Sequence, residues 1–120
     1  MEPTFSIADI SSRTGLSYDT IRYYEKIGLL PSPGRKKNGQ REYTSSDLDR
    51  FTFVTHLKRT HMPLKEIERY IAYSIEQNYE ACYSVLHEHK KHLQAQLAEM
   101  NETLNIINYK LDNFQGMTKR

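Results

Sequence analysis

The stretch that decides the fold is SYDTIRYYEKIG, residues 17–28. Ser17 is a favourable N-cap because its hydroxyl can accept a hydrogen bond from a free amide of the first helical turn. Gly28 can adopt the left-handed backbone that ends a helix. Ile21 and Tyr24 are three residues apart, so they share the face that we expect to turn inward. The stretch therefore predicts a short helix with a polar outer face.

The outer face of this helix carries a hydroxyl, a guanidinium, a phenol and an ammonium, all of which can hydrogen-bond phosphate oxygens or base edges. These groups belong to Thr20, Arg22, Tyr23 and Lys26. Taken alone, the same pattern also describes an ordinary surface helix with a basic face. The neighbouring segments decide between the two interpretations.

A second helix is predicted just upstream. Ser6-Ile-Ala-Asp9 is a capping box, with Asp9 in place of the usual Glu, and predicts a helix from Ile7 to about Arg13. Gly15 then breaks this helix. Two helices joined by a short glycine-containing turn are the sequence form of a helix-turn-helix, whose second helix enters the major groove of DNA.

A basic hairpin is predicted after Gly28. Residues 29–34, LLPSPG, cannot continue a helix because they contain two prolines and a glycine. Asn38-Gly39 then favours a tight hairpin turn, since both residues tolerate positive φ. The hairpin carries four basic residues, Arg35, Lys36, Lys37 and Arg41. Alone it would be a solvated charged loop, but beside a helix-turn-helix it predicts a wing that follows the phosphate backbone or the minor groove.

Two further helices lead to a long heptad repeat. Thr44-Ser-Ser-Asp47 is a second capping box and predicts a helix from about Ser45 to Thr60, and Pro63 suits the first turn of the next helix. From about Tyr79, apolar residues recur every seven positions in two series offset by four. The first series is Leu86, Leu93, Met100, Ile107 and Phe114, and the second is Leu97, Leu104 and Leu111, with Lys90 preceding it.

A helix over residues 79–114 would be about 54 Å long at 1.5 Å per residue. It is too long to pack wholly against a small domain, so its apolar seam needs a partner. The simplest partner is the same helix of a second chain. The heptads alone leave open whether the two helices run parallel or antiparallel.

The amino-acid composition predicts a small protein that does not span a membrane. The 120 residues, with 38% hydrophobic residues and a mean hydropathy of −0.76, indicate one small domain or one domain with an extension. No apolar run approaches the roughly 20 residues that cross a membrane, and the first residues lack the pattern of a signal peptide. One cysteine excludes an internal disulfide and fits the reducing cytoplasm, where we expect the protein to lie.

Positive charge is concentrated in the first part of the chain. Residues 1–70 contain 12 Lys and Arg against 9 Asp and Glu, whereas residues 71–120 contain 5 against 6. The excess therefore lies with the predicted helix-turn-helix, as expected for a nucleic-acid-binding surface.

Residues 6–70 resemble the MerR family of bacterial transcriptional regulators. The resemblance rests on Thr14-Gly15, on IRYYEKIGLL at residues 21–30, and on GQREY at residues 39–43. The long C-terminal helix is similar to the dimerisation helix of the family, so the resemblance covers nearly the whole chain. It predicts a mainly α-helical fold: residues 1–75 form a winged helix-turn-helix domain with a small β-hairpin wing, residues 76–114 a dimerisation helix in an antiparallel coiled coil, and residues 115–120 a short tail.

The resemblance implies a homodimer that presents two winged heads to a palindromic operator. Members of the family typically bind between the two polymerase-recognition elements of a promoter whose spacer is too long, and they bend and undertwist the DNA so that both elements face RNA polymerase. RNA polymerase is then an indirect partner. The expected DNA-binding residues are Arg13, Ser17, Tyr18, Thr20, Arg22, Tyr23, Lys26, Lys36, Lys37, Arg41 and Tyr43, and the last two would hold the wing on the DNA backbone.

Two positions depart from the family pattern. His61 stands where the family usually has Gly in the link before the fourth helix, which would change how the second helix pair is set. Gln40 occupies a wing position where an aromatic residue is common, which would remove one wing contact.

The effector is less evident from the sequence. Only about six residues, 115–120, follow the predicted long helix, so we expect no separate ligand-binding domain. No cysteine follows Cys82, so the thiolate metal site of metal-sensing members is not expected, and no cofactor is predicted. Cys82 is either a sensor thiol, with a pKa lowered by the helix N-terminus, or a small buried hydrophobe, which we favour. His87, His89 and His92 form only a weak pattern for a metal site. The remaining alternatives are a ligand bound at the dimer interface and no effector at all.

The alternatives to a regulator are an adaptor and an enzyme. A coiled-coil adaptor with a basic head would bind a protein, or nucleic acid without sequence preference. An enzyme is not expected, because the sequence has no phosphate-binding glycine loop, no His-Glu-x-x-His motif and no nucleophile elbow.

Overall fold

Five helices and one two-stranded hairpin make up the fold over residues 3–118, which are the residues described by the computed structural model. In chain order the elements are α1 (Ile7–Thr14), α2 (Tyr18–Lys26), β1 (Gly34–Arg35), β2 (Arg41–Glu42), α3 (Ser45–Arg59), α4 (Leu64–Ile75) and α5 (Tyr79–Thr118). The predicted fold class is confirmed: the chain is mainly α-helical, with a helix-turn-helix, a small wing and a long C-terminal helix.

The predicted helix starts are confirmed by their capping hydrogen bonds. The amide of Asp9 donates to the Ser6 hydroxyl at 3.1 Å, and the Asp9 carboxylate accepts from the Ser6 amide at 3.0 Å. The hydrogen bond from the Ser6 backbone lowers the pKa of the Asp9 carboxyl. Thr44 and Asp47 form the same reciprocal pair at the start of α3. At the start of α2, the Ser17 hydroxyl accepts from the Thr20 amide at 3.1 Å.

Helix α2 ends in a Schellman motif at Gly28. The Gly28 amide donates to the Glu25 carbonyl at 3.2 Å, and the Leu29 amide donates to the Tyr24 carbonyl at 3.0 Å. This geometry requires a left-handed residue, and Gly28 has φ of 78°. Leu29 is thereby turned back into the core, where it is 1% exposed.

Helix α3 ends in the same motif, but with His61 at the position of the glycine. His61 has φ of 63°, and its amide donates to the Lys58 carbonyl at 3.0 Å while the Met62 amide donates to the Leu57 carbonyl at 3.2 Å. Histidine tolerates the left-handed region better than most residues with a Cβ. The departure from the family pattern therefore leaves the local geometry of a glycine-ended helix intact.

We expect Gly28→Ala to lower the free energy of unfolding by about 1–2 kcal/mol, because an L residue is strained in the left-handed region. No atom lies within 4 Å of the added Cβ, so the loss would come from the backbone and not from a clash. Gly116→Ala is the matched control: Gly116 lies within α5, has equally open space and shows no positive φ. Urea denaturation should show Gly116→Ala to be neutral or stabilising, and equal stability of the two variants would contradict the argument.

The wing is a short antiparallel hairpin. Gly34 pairs with Glu42 and Arg35 with Arg41. The Gly39 amide donates to the Lys36 carbonyl at 2.9 Å, and of the Asn38-Gly39 pair only Gly39 has positive φ, at 87°. The predicted hairpin is confirmed, but its turn is a three-residue loop with a glycine bulge and not a turn centred on Asn38-Gly39.

One core joins the first four helices to the wing and to the start of α5. Its apolar members are 7% exposed or less: Ile10, Ile21, Tyr24, Leu29, Leu30, Tyr43, Phe51, Val54, Leu57, Met62, Ile67, Ile71, Cys82 and Val85. Ile21 and Tyr24 are therefore the inward face of α2, as predicted. The isolated bridge between Phe5 and Tyr43, with both N–H···O distances at 2.8 Å, ties the end of the wing to the segment before α1.

The chain forms two compact units, Met1–Val85 and Leu86–Arg120. The first two turns of α5 belong to the first unit, and the predicted boundary after residue 75 stays a prediction. Within the second unit, α5 continues to Thr118, so most of the predicted tail is helical, and residues 119 and 120 lie outside the described residues. Over residues 3–118, no helix combines the length and the apolar character that a membrane span needs.

Candidate DNA-binding surface and dimerisation helix

The outward face of α2 presents the side chains that the sequence predicted. Arg22, Tyr23 and Lys26 are exposed, and Thr20 is half-buried. The guanidinium of Arg22 lies over the Tyr18 ring at 5.9 Å and 3.9 Å from the Asp19 carboxylate. Because half of the Arg22 side chain remains accessible, its guanidinium can still reach a partner outside the protein.

Two adjoining clefts separate this face from the wing. The first is lined by Arg22, Glu25, Lys26, Ser32, Pro33, Arg35 and Arg41. The second is lined by Ser6, Ile7, Arg22, Arg35, Lys36, Gly39, Gln40 and Arg41. The two clefts together gather five cationic side chains and a single carboxylate. Such a focused positive potential, contributed by two elements, suits an anionic backbone that lies between the helix and the wing.

Glu25 connects the recognition helix to the wing. Its carboxylate accepts from Arg41 Nε at 3.1 Å through one oxygen and from the Tyr43 hydroxyl at 2.6 Å through the other. The Glu25 side chain is 7% exposed and that of Arg41 26%. Burial, followed by the hydrogen bond to Glu25, raises the pKa of the Tyr43 hydroxyl, so Tyr43 remains a neutral donor at physiological pH.

The structure corrects the prediction for Tyr43. Its side chain is 1% exposed and packs edge-on against Phe51, with ring centroids 5.8 Å apart. A buried phenol cannot reach a DNA phosphate. Tyr43 instead holds the wing to α2 from inside the protein, whereas Arg41 keeps access to the clefts.

The remaining predicted DNA-binding residues do not line the clefts. Arg13 is exposed over the Phe5 ring at 5.0 Å, and Lys37 is exposed in the wing loop. Ser17 is exposed, but its hydroxyl is used twice, since it caps α2 and donates to the Thr20 hydroxyl at 2.9 Å. Their roles at DNA stay predictions.

Two residues of the surface were missed as site residues at the sequence level. Glu25 belongs to the Arg-Tyr-Tyr-Glu run, and its place in that run was the available signal. Arg35 was recognised only as part of a basic hairpin. It lines both clefts, and its guanidinium donates to the Gly39 carbonyl at 2.8 Å across the wing loop.

The heptad residues of α5 form an exposed apolar stripe. Leu86 and Leu93 are half-buried. The six that follow are between 48% and 69% exposed: Leu97, Met100, Leu104, Ile107, Leu111 and Phe114. An apolar stripe of this length on a charged helix is typical of a coiled-coil interface.

Cys82 is buried against α4. Its thiol lies 3.9 Å from the Tyr70 carbonyl, and the residue is 7% exposed. Burial raises the pKa of the Cys82 thiol, which is opposite to the lowering that a helix N-terminus was expected to cause in a sensor. His89 is also buried, and burial, followed by the charge of His92, lowers its pKa. No three side chains able to ligate a metal converge within residues 3–118.

We expect Cys82 in the folded protein to react with Ellman's reagent roughly tenfold or more slowly than in the urea-unfolded protein, because reactivity follows the accessible thiolate fraction. Since the raised pKa of the Cys82 thiol leaves less thiolate at neutral pH, the rate should still be rising with pH at the ordinary thiol pKa, where the rate of an unperturbed thiol begins to level off. Cys82→Ser should leave DNA affinity unchanged. A folded-state rate equal to the unfolded one would restore the sensor hypothesis.

The fold is that of a winged helix-turn-helix DNA-binding protein. An exposed polar helix follows a tight turn, a basic wing lies beside this helix, and one core packs beneath the helix and the wing. Residues 5–74 match the model of a protein family described as "MerR HTH family regulatory protein". The chain belongs to the MerR family of transcriptional regulators.

Relatives of known sequence or structure agree with this assignment. An uncharacterised HTH-type transcriptional regulator of Haemophilus influenzae is 34% identical over 114 residues, covering 93% of this chain and 84% of the relative. The crystal structure of HiNmlR, a MerR family regulator lacking the sensor domain, bound to promoter DNA, matches with 34% identity and a TM-score of 0.82, covering 94% of this chain and 91% of that one. A MerR family regulator from Listeria monocytogenes matches with 31% identity and a TM-score of 0.85, covering 92% and 86%. Regulators of this family bind promoter DNA as dimers and work with RNA polymerase, and these relatives are transcriptional regulators.

Proposed function

We propose that this regulator binds a palindromic promoter operator as a homodimer and distorts the spacer DNA to control transcription. The observation that carries the proposal is the pair of positive clefts between α2 and the wing. In this arrangement α2 lies in the major groove, and the wing cations contact the adjacent backbone. RNA polymerase takes part indirectly, through the altered geometry of the promoter.

The homodimer follows from the exposed stripe on α5. Two stripes that pack antiparallel would bury each other and place one winged head at each end of the pair. Two identical heads related by a twofold axis read inverted half-sites, so the operator should be a near-palindrome. Distortion of the DNA between the half-sites would add specificity at base pairs that the protein does not touch.

We propose further that the protein works in the cytoplasm, where promoter DNA lies, without catalytic chemistry and without a cofactor. Cys82 then has a structural role, because a buried thiol with a raised pKa is poorly suited to sensing.

The test is a nuclease footprint of the purified protein on the DNA that flanks its own gene. A protected near-palindrome between the two polymerase-recognition elements, with a hypersensitive centre, is the expected result. An adaptor with a basic head would instead give diffuse protection that disappears as salt is raised, because its binding would depend only on counterion release. That outcome, with no preferred sequence at any salt concentration, would overturn the proposal.

A further inference from the structure

The wing is too small to hold its own position. It has two paired residues on each strand, and an isolated two-stranded hairpin is marginal in water. Two anchors fix it in this fold. One is the backbone bridge from Tyr43 to Phe5, and the other is the carboxylate of Glu25 on α2.

The two wing groups bound to Glu25 differ in what else they can do. Tyr43 is fully inside the core, so its hydroxyl is committed to Glu25. Arg41 is bound through Nε, and within residues 3–118 Glu25 is its one hydrogen-bond and ion-pair partner. Its two terminal nitrogens therefore remain available toward the clefts that Arg22 and Arg35 also line.

A guanidinium held at Nε has its plane fixed, and its other edge can bind a phosphate with two parallel hydrogen bonds. We propose that Glu25 is a positioning residue for DNA binding, which fixes the Arg41 guanidinium so that its terminal nitrogens bind one backbone phosphate seated between α2 and the wing. This inference rests on the proposed DNA-binding function. Glu25, although acidic, would thereby increase the affinity of the protein for negatively charged DNA.

The direction in which operator affinity changes on neutralising Glu25 distinguishes a positioning role from simple charge repulsion. A carboxylate close to DNA repels phosphate, so neutralising it without any positioning role should raise affinity. If Glu25 orients Arg41, neutralising it should lower affinity for the operator. Binding to random DNA, which needs no fixed geometry, should stay equal or become tighter.

The experiment uses the full-length dimer and a duplex carrying the palindrome that the wild-type protein selects from a random library. Glu25→Gln keeps the shape of the side chain but replaces the charged carboxylate next to Arg41 Nε with a neutral amide. Glu42→Gln is the matched control. Glu42 lies in the wing next to Arg41, its substitution removes the same charge, and it takes part in none of the ion pairs of residues 3–118. We expect Glu25→Gln to weaken operator binding tenfold or more and Glu42→Gln to leave it unchanged or slightly tighter.

Coupling to Arg41 is tested by a double-mutant cycle. In an Arg41→Ala background, Glu25→Gln should cause no further loss of operator affinity. The slope of log affinity against log salt should fall by about one per subunit for Glu25→Gln, as expected for one lost phosphate contact. A purely structural residue would instead add its loss to that of Arg41→Ala.

Arg41→Lys keeps the test decisive if Glu25→Gln fails to fold. Lysine retains the charge, but its ammonium is a point charge and cannot bind carboxylate and phosphate in the forked geometry of arginine. We expect a loss similar to that of Glu25→Gln, with an unchanged melting temperature. Wild-type affinity for either folded variant would overturn the role of Glu25. Failure of the wild-type protein to prefer any sequence would instead overturn the proposed function.

Discussion

Arg22→Ala should reduce operator affinity by about 30-fold to 2.5 × 10⁴-fold, because a good arginine contact to a base edge contributes roughly 1–3 kcal/mol and the dimer loses two of them. Arg22 is the one residue of α2 that is exposed at the helix surface and also lines both clefts. A single substitution there removes a cation from both clefts and from the outward face of α2.

The loss should be confined to DNA binding. Arg22 contributes one ion pair at 3.9 Å, with an Asp19 side chain that is 98% exposed, and surface substitutions of this kind usually change stability by less than about 0.5 kcal/mol. We therefore expect an unchanged melting temperature and an unchanged dimer in sedimentation. Fluorescence anisotropy with the selected operator gives the affinity.

Arg69→Ala is the matched control for this substitution. Arg69 lies on α4, its side chain is 55% exposed, compared with 50% for Arg22, and it also pairs with a carboxylate three residues away. It does not line either cleft. Its removal should leave operator affinity nearly unchanged. Equal losses for the two variants would mean that net charge, and not the position of Arg22, determines binding.

The features that the sequence predicted correctly are those whose cause lies within a few residues. A capping box needs only Ser6 and Asp9, or Thr44 and Asp47, and each pair is three residues apart. The end of α2 needs only the left-handed backbone of Gly28. Such local causes are visible in a single sequence, and they were enough to define the helix-turn-helix.

The features that the sequence did not predict depend on residues far apart in the chain. Glu25 and Tyr43 are 18 positions apart, and no periodicity connects them, so the burial of Tyr43 became visible only in the fold. The burial of Cys82 was the favoured interpretation of the sequence, but a sensor thiol was left open, because a helix N-terminus lowers a thiol pKa whereas burial raises it. Tertiary packing against α4 decided the outcome. The apolar stripe on α5, in contrast, could be predicted because its period is local, and the role of its residues in dimerisation stays a prediction.

Leu97→Asp combined with Leu104→Asp should convert the dimer to a monomer and abolish operator binding at concentrations where the wild-type protein binds. The two leucines are one heptad apart and are 59% and 53% exposed in the isolated chain. Burying a leucine fully stabilises by about 1.5–3 kcal/mol, and a dimer would lose four such contributions. An ionised carboxylate placed in the seam costs several kcal/mol more, because it loses its hydration without gaining a partner.

The same substitutions should lower the helical content of the protein. Every side chain of residues 94–116 is exposed, so in a single chain this part of the helix has little tertiary packing to stabilise it. An isolated helix of this kind is marginal in water. Circular dichroism should therefore show a smaller signal at 222 nm in the monomer, together with a sedimentation coefficient that no longer depends on concentration.

Asn101→Asp combined with Asn108→Asp is the matched control, because it adds the same two charges at the same spacing on α5. Both asparagines are exposed and lie one residue after the heptad positions Met100 and Ile107, so they sit beside the seam and not in it. This variant should remain a dimer with wild-type helicity and operator affinity. A monomer from both variants would show that added negative charge alone disrupts α5. A dimer from both would place the subunit contact on another face of the molecule and would overturn the role of the stripe on α5 in dimerisation.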